Sequence, residues 1–586
     1  MAEAQSPQPE TAPAALPIPS LEDMQHWTWV MGRAQQMMLE AGLQTIEDTP
    51  AIPIIPGFTD PRTLDRARDF WTDSMKMWSR FLVPDLAAAE PEDPAHAKDK
   101  RFKDPAWRAN PVFDWIRQSY LLVSDHLQRS VDEIDGLDDK QRERLRFATR
   151  NIVDAMSPSN FPATNPLVLE KTLETGGENL LSGLQHMLAD LGKGQLTHTS
   201  NEAFEIGRNI AVTPGKVVKR TPLYELIQYS PTTKQVIETP LVIFPPWINR
   251  FYILDLSPEK SFINWAVDQG LTVFIVSWRS ADATMKDVTW DDYVEAGQID
   301  AIDTVRELLK VESVHAIGYC VAGTTLAATL AVLAARGQAD KVKSATFFTA
   351  QVDFSRAGEL LNFVDDEQIK LIEQVSPDGF LDGRYMAMTF NLLRGRDLIW
   401  NYVTNNYLLG QDYTPFDMLH WNGDTTNLPS KWHLSYLRDL YRDNRLAVPG
   451  ALSIAGTPID LTKVATPSYI QAGREDHIAP ADSVWQMTKH FAGPMKFVLA
   501  GSGHIAGVVN PPAAQKYQYW TNPVLGDSFA DFVTGATETK GSWWPDWIDW
   551  IRAQGDATAP VKGARVPGKG KLPALSDAPG DYVRTR

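Results

Sequence analysis

The chain has 586 residues, of which 43% are hydrophobic and 22% charged, so global disorder is excluded and a sizeable core is affordable. A net charge of −17 argues against a protein that wraps nucleic acid. A single cysteine rules out an intrachain disulfide and a cysteine-based zinc site.

Residues 1–20 are rich in Pro, Ala, Glu and Gln and read as a disordered tail without the basic start or apolar core of a signal peptide. A cytoplasmic protein is the default. Residues 21–207 read as a helical N-terminal domain. Ile116, Tyr120, Leu121, Val123, Leu127 and Val131 recur at helical spacing within residues 115–134. Residues 140–156 continue the pattern, and three prolines within Ser157–Pro166 end it. No catalytic constellation falls here, so packing, partner binding or surface association is the expected role.

The texture changes near Val212, and residues 208–559 read as an α/β catalytic domain. Strands are expected at 216–219, 223–229, 240–244, 273–277, 314–317, 343–348, 468–472 and 496–499, with a helix over 290–309. Strands alternating with helices predict a mostly parallel sheet. The twenty uncharged residues Ala316–Ala335 are long enough to span a bilayer. Gly318, Cys320 and Gly323 near the start favour a strand, a tight turn and a buried helix instead. Between about 353 and 446 the alternation stops. That aromatic-rich stretch reads as a cap insertion over the carboxyl edge of the sheet. Residues 560–586 are Gly/Pro-rich, with six Lys/Arg against two Asp, and read as a flexible tail.

Cys320 follows an apolar strand and precedes a helix-forming run, the setting of a nucleophile elbow. Its neighbours two residues away, Gly318 and Ala322, are small enough for so tight a turn. A thiol at a helix N-terminus is favoured as thiolate, and the Val321 N–H is placed to hold an oxyanion. An elbow predicts an acid and then a histidine, each after a later strand. Asp476 and His504 meet that order, with Glu475 the alternative acid. Among eleven histidines, His477 is the nearest rival, His420 and His433 fall in the insertion, and His315 lies within a strand. The second oxyanion donor belongs after an early strand. Pro245 and Pro246 have no N–H, which leaves Trp247 or Ile248, and Ile248 is preferred.

The segments GYCVAGT (318–324), PPWINRFYILDLSPEKS (245–261), VSWRSADATMKDVTWDDYV (276–294), GREDHIAP (473–480) and GSGHIAGVVNPP (501–512) together resemble the class I polyhydroxyalkanoate synthase family. RFKDPAW (101–107) extends the resemblance towards the N-terminus. One departure is Ala322, where the family usually has glycine. The resemblance implies an α/β-hydrolase fold with a cap and a helical N-terminal domain. It implies an acyltransferase that polymerises (R)-3-hydroxyacyl-CoA, such as 3-hydroxybutyryl-CoA, onto a growing polyester chain with release of CoA and without a cofactor or metal. Cys320 is then the acylated nucleophile, His504 its base and Asp476 the partnering carboxylate, which in this family is also proposed to help activate the 3-hydroxyl. A homodimer at the surface of cytoplasmic polyester granules, with granule-associated proteins as further partners, is also implied, with no nucleic acid and no membrane span. Arg250, Arg279 and Arg394 are candidates for the CoA phosphates, but each reads first as a structural or surface arginine. The alternative enzyme is a cysteine-type α/β hydrolase acting on thioesters or lactones.

Overall fold

A computed structural model describes residues 68–77 and 94–585. The expected disordered tail at 1–20 lies outside the described residues. The chain divides into two compact units, one ending at Gly136 and resuming over Ile152–Asn179, the other comprising Leu137–Asn151 and Leu180–Arg586. The expected boundary at 207/208 therefore does not coincide with the division by packing, because residues 180–207 pack within the second unit.

In the first unit the helix expected over 115–134 runs over Pro111–Asp132. Asn110 caps it by accepting the Val112 N–H at 2.9 Å, and Pro111 occupies the first turn, where no N–H is needed. Its apolar face buries Phe113, Tyr120 and Leu121 with Phe102, Trp107 and Val153. Phe102 and Trp107 meet edge-to-face at 4.9 Å.

The second unit is built on one sheet of eleven strands: β1 (Gly215–Arg220), β2 (Tyr224–Tyr229), β3 (Leu241–Phe244), β4 (Val273–Trp278), β5 (Val314–Tyr319), β6 (Val342–Phe348), β7 (Ser468–Gly473), β8 (Met495–Ala500), β9 (Gln518–Thr521), β10 (Thr537–Lys540) and β11 (Ser576–Asp577). Their spatial order is β10-β9-β8-β7-β6-β5-β3-β4-β2-β1-β11. Strands β3 to β8 are parallel, and the outer strands are antiparallel. All eight expected strands form. The sheet is covered on both faces, so β4, β5 and β7 are buried at every position and are mostly apolar without the alternation of a one-faced sheet. Successive residues of β3 alternate between the two cores, Val242 and Phe244 in one, Leu241 and Ile243 in the other. This is the α/β-hydrolase arrangement the sequence predicts.

The uncharged run Ala316–Ala335 resolves into the end of β5, Cys320 and the helix Val321–Ala335, which is buried from Val321 to Leu333. Its lack of charge thus reflects a helix covered on all sides. No helix among the described residues is long and apolar enough to cross a membrane.

Residues 353–446 contain helices and one two-stranded pairing, Phe380–Leu381 with Leu428–Pro429. The C-terminal segment departs from its expected flexibility. Ser576–Asp577 adds an edge strand to β1, and the buried Glu225 carboxylate accepts the N–H groups of Asp581 and Tyr582 at 3.0 Å each. Arg565 donates to the Glu238 carbonyl and the Thr272 hydroxyl, and Val583 is buried. These partners lie more than two hundred residues upstream, so they offset the entropy of ordering without leaving a mark on local composition.

Candidate active site

The sheet changes direction at β3, whose neighbours β4 and β5 lie on opposite sides. Loops at the carboxyl ends of strands beside such a point form a crevice. The β3–β5 register pairs Phe244 with Gly318, which sets the loop after β3 beside the turn after β5.

Cys320 forms that turn, with φ 52° and ψ −126°. A side chain at positive φ is strained and persists only where its surroundings enforce it. Three contacts do so. The Cys320 N–H donates to the Phe348 carbonyl at 2.9 Å, and its own carbonyl accepts from Gly323 and Thr324 at 2.9 and 3.0 Å. The strand and helix cross so closely that a Cβ on Gly318 would sit 2.5 Å from the Gly323 Cα, and one on Gly323 would sit 2.4 Å from the Ala350 Cβ. The positions that must lack a side chain are therefore Gly318, two residues before the cysteine, and Gly323, three residues after it. Ala322, singled out as a departure, packs within the buried core, and its carbonyl accepts from the Gln298 side chain at 2.9 Å. Val321 opens the helix, where helical geometry leaves its N–H without an intrahelical acceptor.

Asp476 and His504 lie in the loops after β7 and β8, adjacent parallel strands. Asp476 Oδ2 meets His504 Nδ1 at 2.7 Å, while Oδ1 accepts the N–H groups of Ile478 and Ala479 at 2.8 and 2.9 Å. Both carboxylate oxygens are thus engaged, and the Asp476 side chain is 0% exposed. The Tyr319 hydroxyl donates to the His504 carbonyl at 2.9 Å and steadies the loop. Burial alone would lower the pKa of His504. The charges of Asp476 and Cys320 and their hydrogen bonds outweigh it and push the value up to about 10. The arrangement can hold a proton between a sulfur and an imidazole that a buried carboxylate orients.

Other candidates fall elsewhere. Glu475 is exposed. His477 is half-buried, and burial lowers its pKa. His315 is packed inside the sheet against the Ser344 hydroxyl at 2.7 Å, its pKa lowered by burial to about 3. His433 is buried in the insertion and held neutral likewise, near 4. Of the arginines, Arg250 is 2% exposed and faces Asp424 at 3.5 Å, which fits the structural reading. Arg279 pairs with Asp282 and Arg394 with Asp397.

The insertion brings Tyr436 and Tyr441 to the centre, which pattern reading did not single out. Burial first, and then neighbouring charge including that of Cys320, keep both hydroxyls protonated. Gln351 Nε2 donates to the Tyr441 hydroxyl at 3.4 Å. Nothing in their spacing separates these two from Trp400, Tyr402, Tyr407, Tyr413 or Phe416, and Phe416 is exposed. Among the tryptophans of the insertion, Trp421 and Trp432 are buried.

The sequence matches the family described as poly-beta-hydroxybutyrate polymerase (PhaC) N-terminus over residues 98–266 and the alpha/beta hydrolase fold over residues 240–511. It is 46% identical to the poly(3-hydroxyalkanoate) polymerase subunit PhaC of Rhizobium meliloti, over 90% of this chain and 87% of that one. It is 48% identical to the poly(3-hydroxyalkanoate) polymerase of Methylorubrum extorquens, over 85% of this chain and 83% of that one. The subunit PhaC of Cupriavidus necator is 44% identical, over 89% of this chain and 88% of its own.

Proposed function

This chain belongs to the poly(3-hydroxyalkanoate) polymerase family, and from that premise we propose that it builds polyester from (R)-3-hydroxyacyl-CoA through a thioester on Cys320. The Cys320 sulfur attacks the thioester carbonyl carbon, and His504 holds the thiol proton. The carbonyl oxygen becomes an oxyanion between the N–H groups of Val321 and Ile248. When the bond to CoA breaks, its sulfur leaves with the proton from His504, and the acyl group stays on Cys320.

Exchanging one thioester for another loses little energy, so the acyl group remains reactive. The 3-hydroxyl of another unit then attacks the enzyme thioester and gives its proton to His504. An oxygen ester forms, and Cys320 leaves as the thiolate beside the imidazolium. Both Asp476 oxygens already accept hydrogen bonds, so this carboxylate acts by orienting His504 and stabilising its positive charge rather than by taking the hydroxyl proton itself. Water must be excluded or the acyl-enzyme hydrolyses, and the aromatic insertion is suited to that task.

The observation that carries this reading is the 2.7 Å Asp476–His504 contact in the loops of two adjacent strands, in one site with a cysteine on a strained elbow. The test is incubation with 3-hydroxybutyryl-CoA, following CoA, covalent acylation of Cys320 and product together. Insoluble polyester with an acylated Cys320 is expected. Free hydroxy acid as the product would favour the cysteine-type hydrolase.

The finer reading, a homodimer at the granule surface, is favoured by Leu181, Leu184, Leu188 and Leu191, which one helix leaves exposed among the described residues. Sedimentation and granule fractionation test it.

A further inference from the structure

A short strap of the insertion, Asp424–Asn427, runs along the loop that carries the proposed second oxyanion donor. Thr425 forms an antiparallel bridge with Asn249. The Thr426 N–H donates to the Ile248 carbonyl at 3.2 Å, and the Thr426 hydroxyl donates to the Trp247 carbonyl. The strap is fastened on both sides of Thr426. Asp424 faces Arg250 and accepts from the Tyr252 hydroxyl at 2.9 Å. Asn427 accepts the Ala281 N–H and donates to the Ser280 hydroxyl and the Ala281 carbonyl at 3.0–3.1 Å.

We propose that Thr426 is a positioning residue for the oxyanion hole, an inference that rests on the acylation of Cys320 proposed above. The peptide between Trp247 and Ile248 is planar and trans, so its carbonyl and its N–H point to opposite sides. An unbraced loop peptide can turn either group towards a neighbouring site. A carbonyl turned towards a developing oxyanion repels it, whereas an N–H stabilises it. The Thr426 hydroxyl engages the carbonyl on the strap side and thereby commits the Ile248 N–H to the other side. Thr426 and Trp247 are 2% and 1% exposed, so water does not replace the hydroxyl cheaply, whereas Ile248 is only partly buried. Through Thr426, seating of the insertion and assembly of the oxyanion hole become one event.

Thr426→Val keeps the shape and removes the donor, and Thr426→Ser keeps the donor. Removing an oxyanion donor costs roughly 100- to 1,000-fold, and a misplaced one costs less, on the order of 10- to 100-fold. That loss is expected in the first-turnover release of CoA from 3-hydroxybutyryl-CoA by Thr426→Val, with KM little changed. Thr426→Ser should stay within about threefold of wild type, by the same comparison of retained and removed donors. Alkylation of Cys320 by iodoacetamide forms no oxyanion, so its rate should be the same in all three proteins, a result that a loosened fold or damaged nucleophile would not give.

Wild-type acylation in Thr426→Val overturns the proposal, as does an acylation loss matched by an equal loss of alkylation. If the valine variant does not fold, Thr426→Ser decides: a serine variant that folds but acylates as slowly as a Thr426→Ala control also overturns it. Cys320→Ala runs alongside. CoA release by that variant sinks the thioester mechanism itself, whereas an inactive Cys320→Ala beside a fully active Thr426→Val sinks only the role of Thr426.

Discussion

The elbow after β5 and the insertion at 353–446 border the same proposed centre and are built in different ways. At the elbow, a cysteine at φ 52° is enforced by Gly318 and Gly323, a few residues away along the chain. The insertion acts through Thr426 on the loop at 245–250 and through Tyr441 on Gln351, contacts that cross some 90 to 180 positions. Steric demands between near neighbours restrict residue type and are visible as a motif. Hydrogen bonds between distant positions restrict only the pair, and each member looks ordinary by itself.

If the elbow supplies the chemistry and the insertion the alignment, breaking the elbow must cost more. The largest loss is expected for Cys320→Ala, several orders of magnitude in CoA release in a protein that still folds, because no other thiol exists. Steady-state assays and covalent labelling read it, and near-wild-type turnover ends the mechanism.

Next come the residues proposed to move and steady the proton. His504→Gln should lower the first CoA release by about 100- to 10,000-fold, the usual range for a general base. Asp476→Asn should retain a CoA burst on rapid mixing and lose mostly chain growth, since a thiol needs less help to ionise than a hydroxyl. Equal loss of burst and steady state in both variants contradicts this division.

Gly323→Ala sharpens the contrast from the side of shape. Its Cβ would stand 2.4 Å from the Ala350 Cβ, a methyl with no rotamer to escape by, and 2.8 Å from the backbone carbonyl oxygen of Gly318. Overpacking of this kind costs about 1–3 kcal/mol, so a lowered melting temperature and misaligned, slow acylation are expected. Ala322→Gly should be mild by comparison. A Gly323→Ala protein as stable and active as wild type would show that the elbow is less constrained than its contacts indicate.

Tyr441→Phe probes the insertion. It removes the hydroxyl that Gln351 Nε2 reaches at 3.4 Å, and loss of one buried hydrogen bond costs about 1–2 kcal/mol. Chain growth should slow by about 5- to 30-fold on that basis, and a defect as deep as that of Cys320→Ala would reverse the ranking of the two regions.

A further effect, read in stability rather than in turnover, is one of pH. A histidine whose pKa rises on folding from an ordinary value of about 6.5 to about 10 contributes stability that is complete below about pH 6.5 and lost as pH climbs through about 10. Asp476→Asn removes the main source of that rise. The melting-temperature gap between wild type and Asp476→Asn should therefore be wider near pH 6.5 than near pH 10.5. Gaps of equal size would show that the pair contributes no proton-linked stability.

Much of the catalytic fold was legible before any coordinates, because burial on both faces of a parallel strand demands apolar runs such as Val273–Trp278. The order of Cys320, Asp476 and His504, each after such a run, is what proposes them as a set, and Asp476 and His504 do meet at 2.7 Å. Strands β9 and β10 were not legible, since Gln518–Thr521 and Thr537–Lys540 are short, partly or wholly exposed, and lack that apolar signature. The segment 560–586 was misread because its order depends on Glu225, Glu238 and Thr272, which no local composition reveals.

What the amino-acid order determined by itself is what neighbours along the chain decide: the strand–turn–helix at Cys320, the breaker at Ser157–Pro166, the buried character of Val321–Leu333. Only the tertiary structure decided that Gly323, rather than Ala322, has no room for a side chain, that both Asp476 oxygens are occupied, and that Thr426 holds the peptide before Ile248. The physical reason is range. Propensity and sterics act over a few residues, whereas a hydrogen bond or a van der Waals contact needs only that two groups end up about 3–4 Å apart, wherever the chain has carried them.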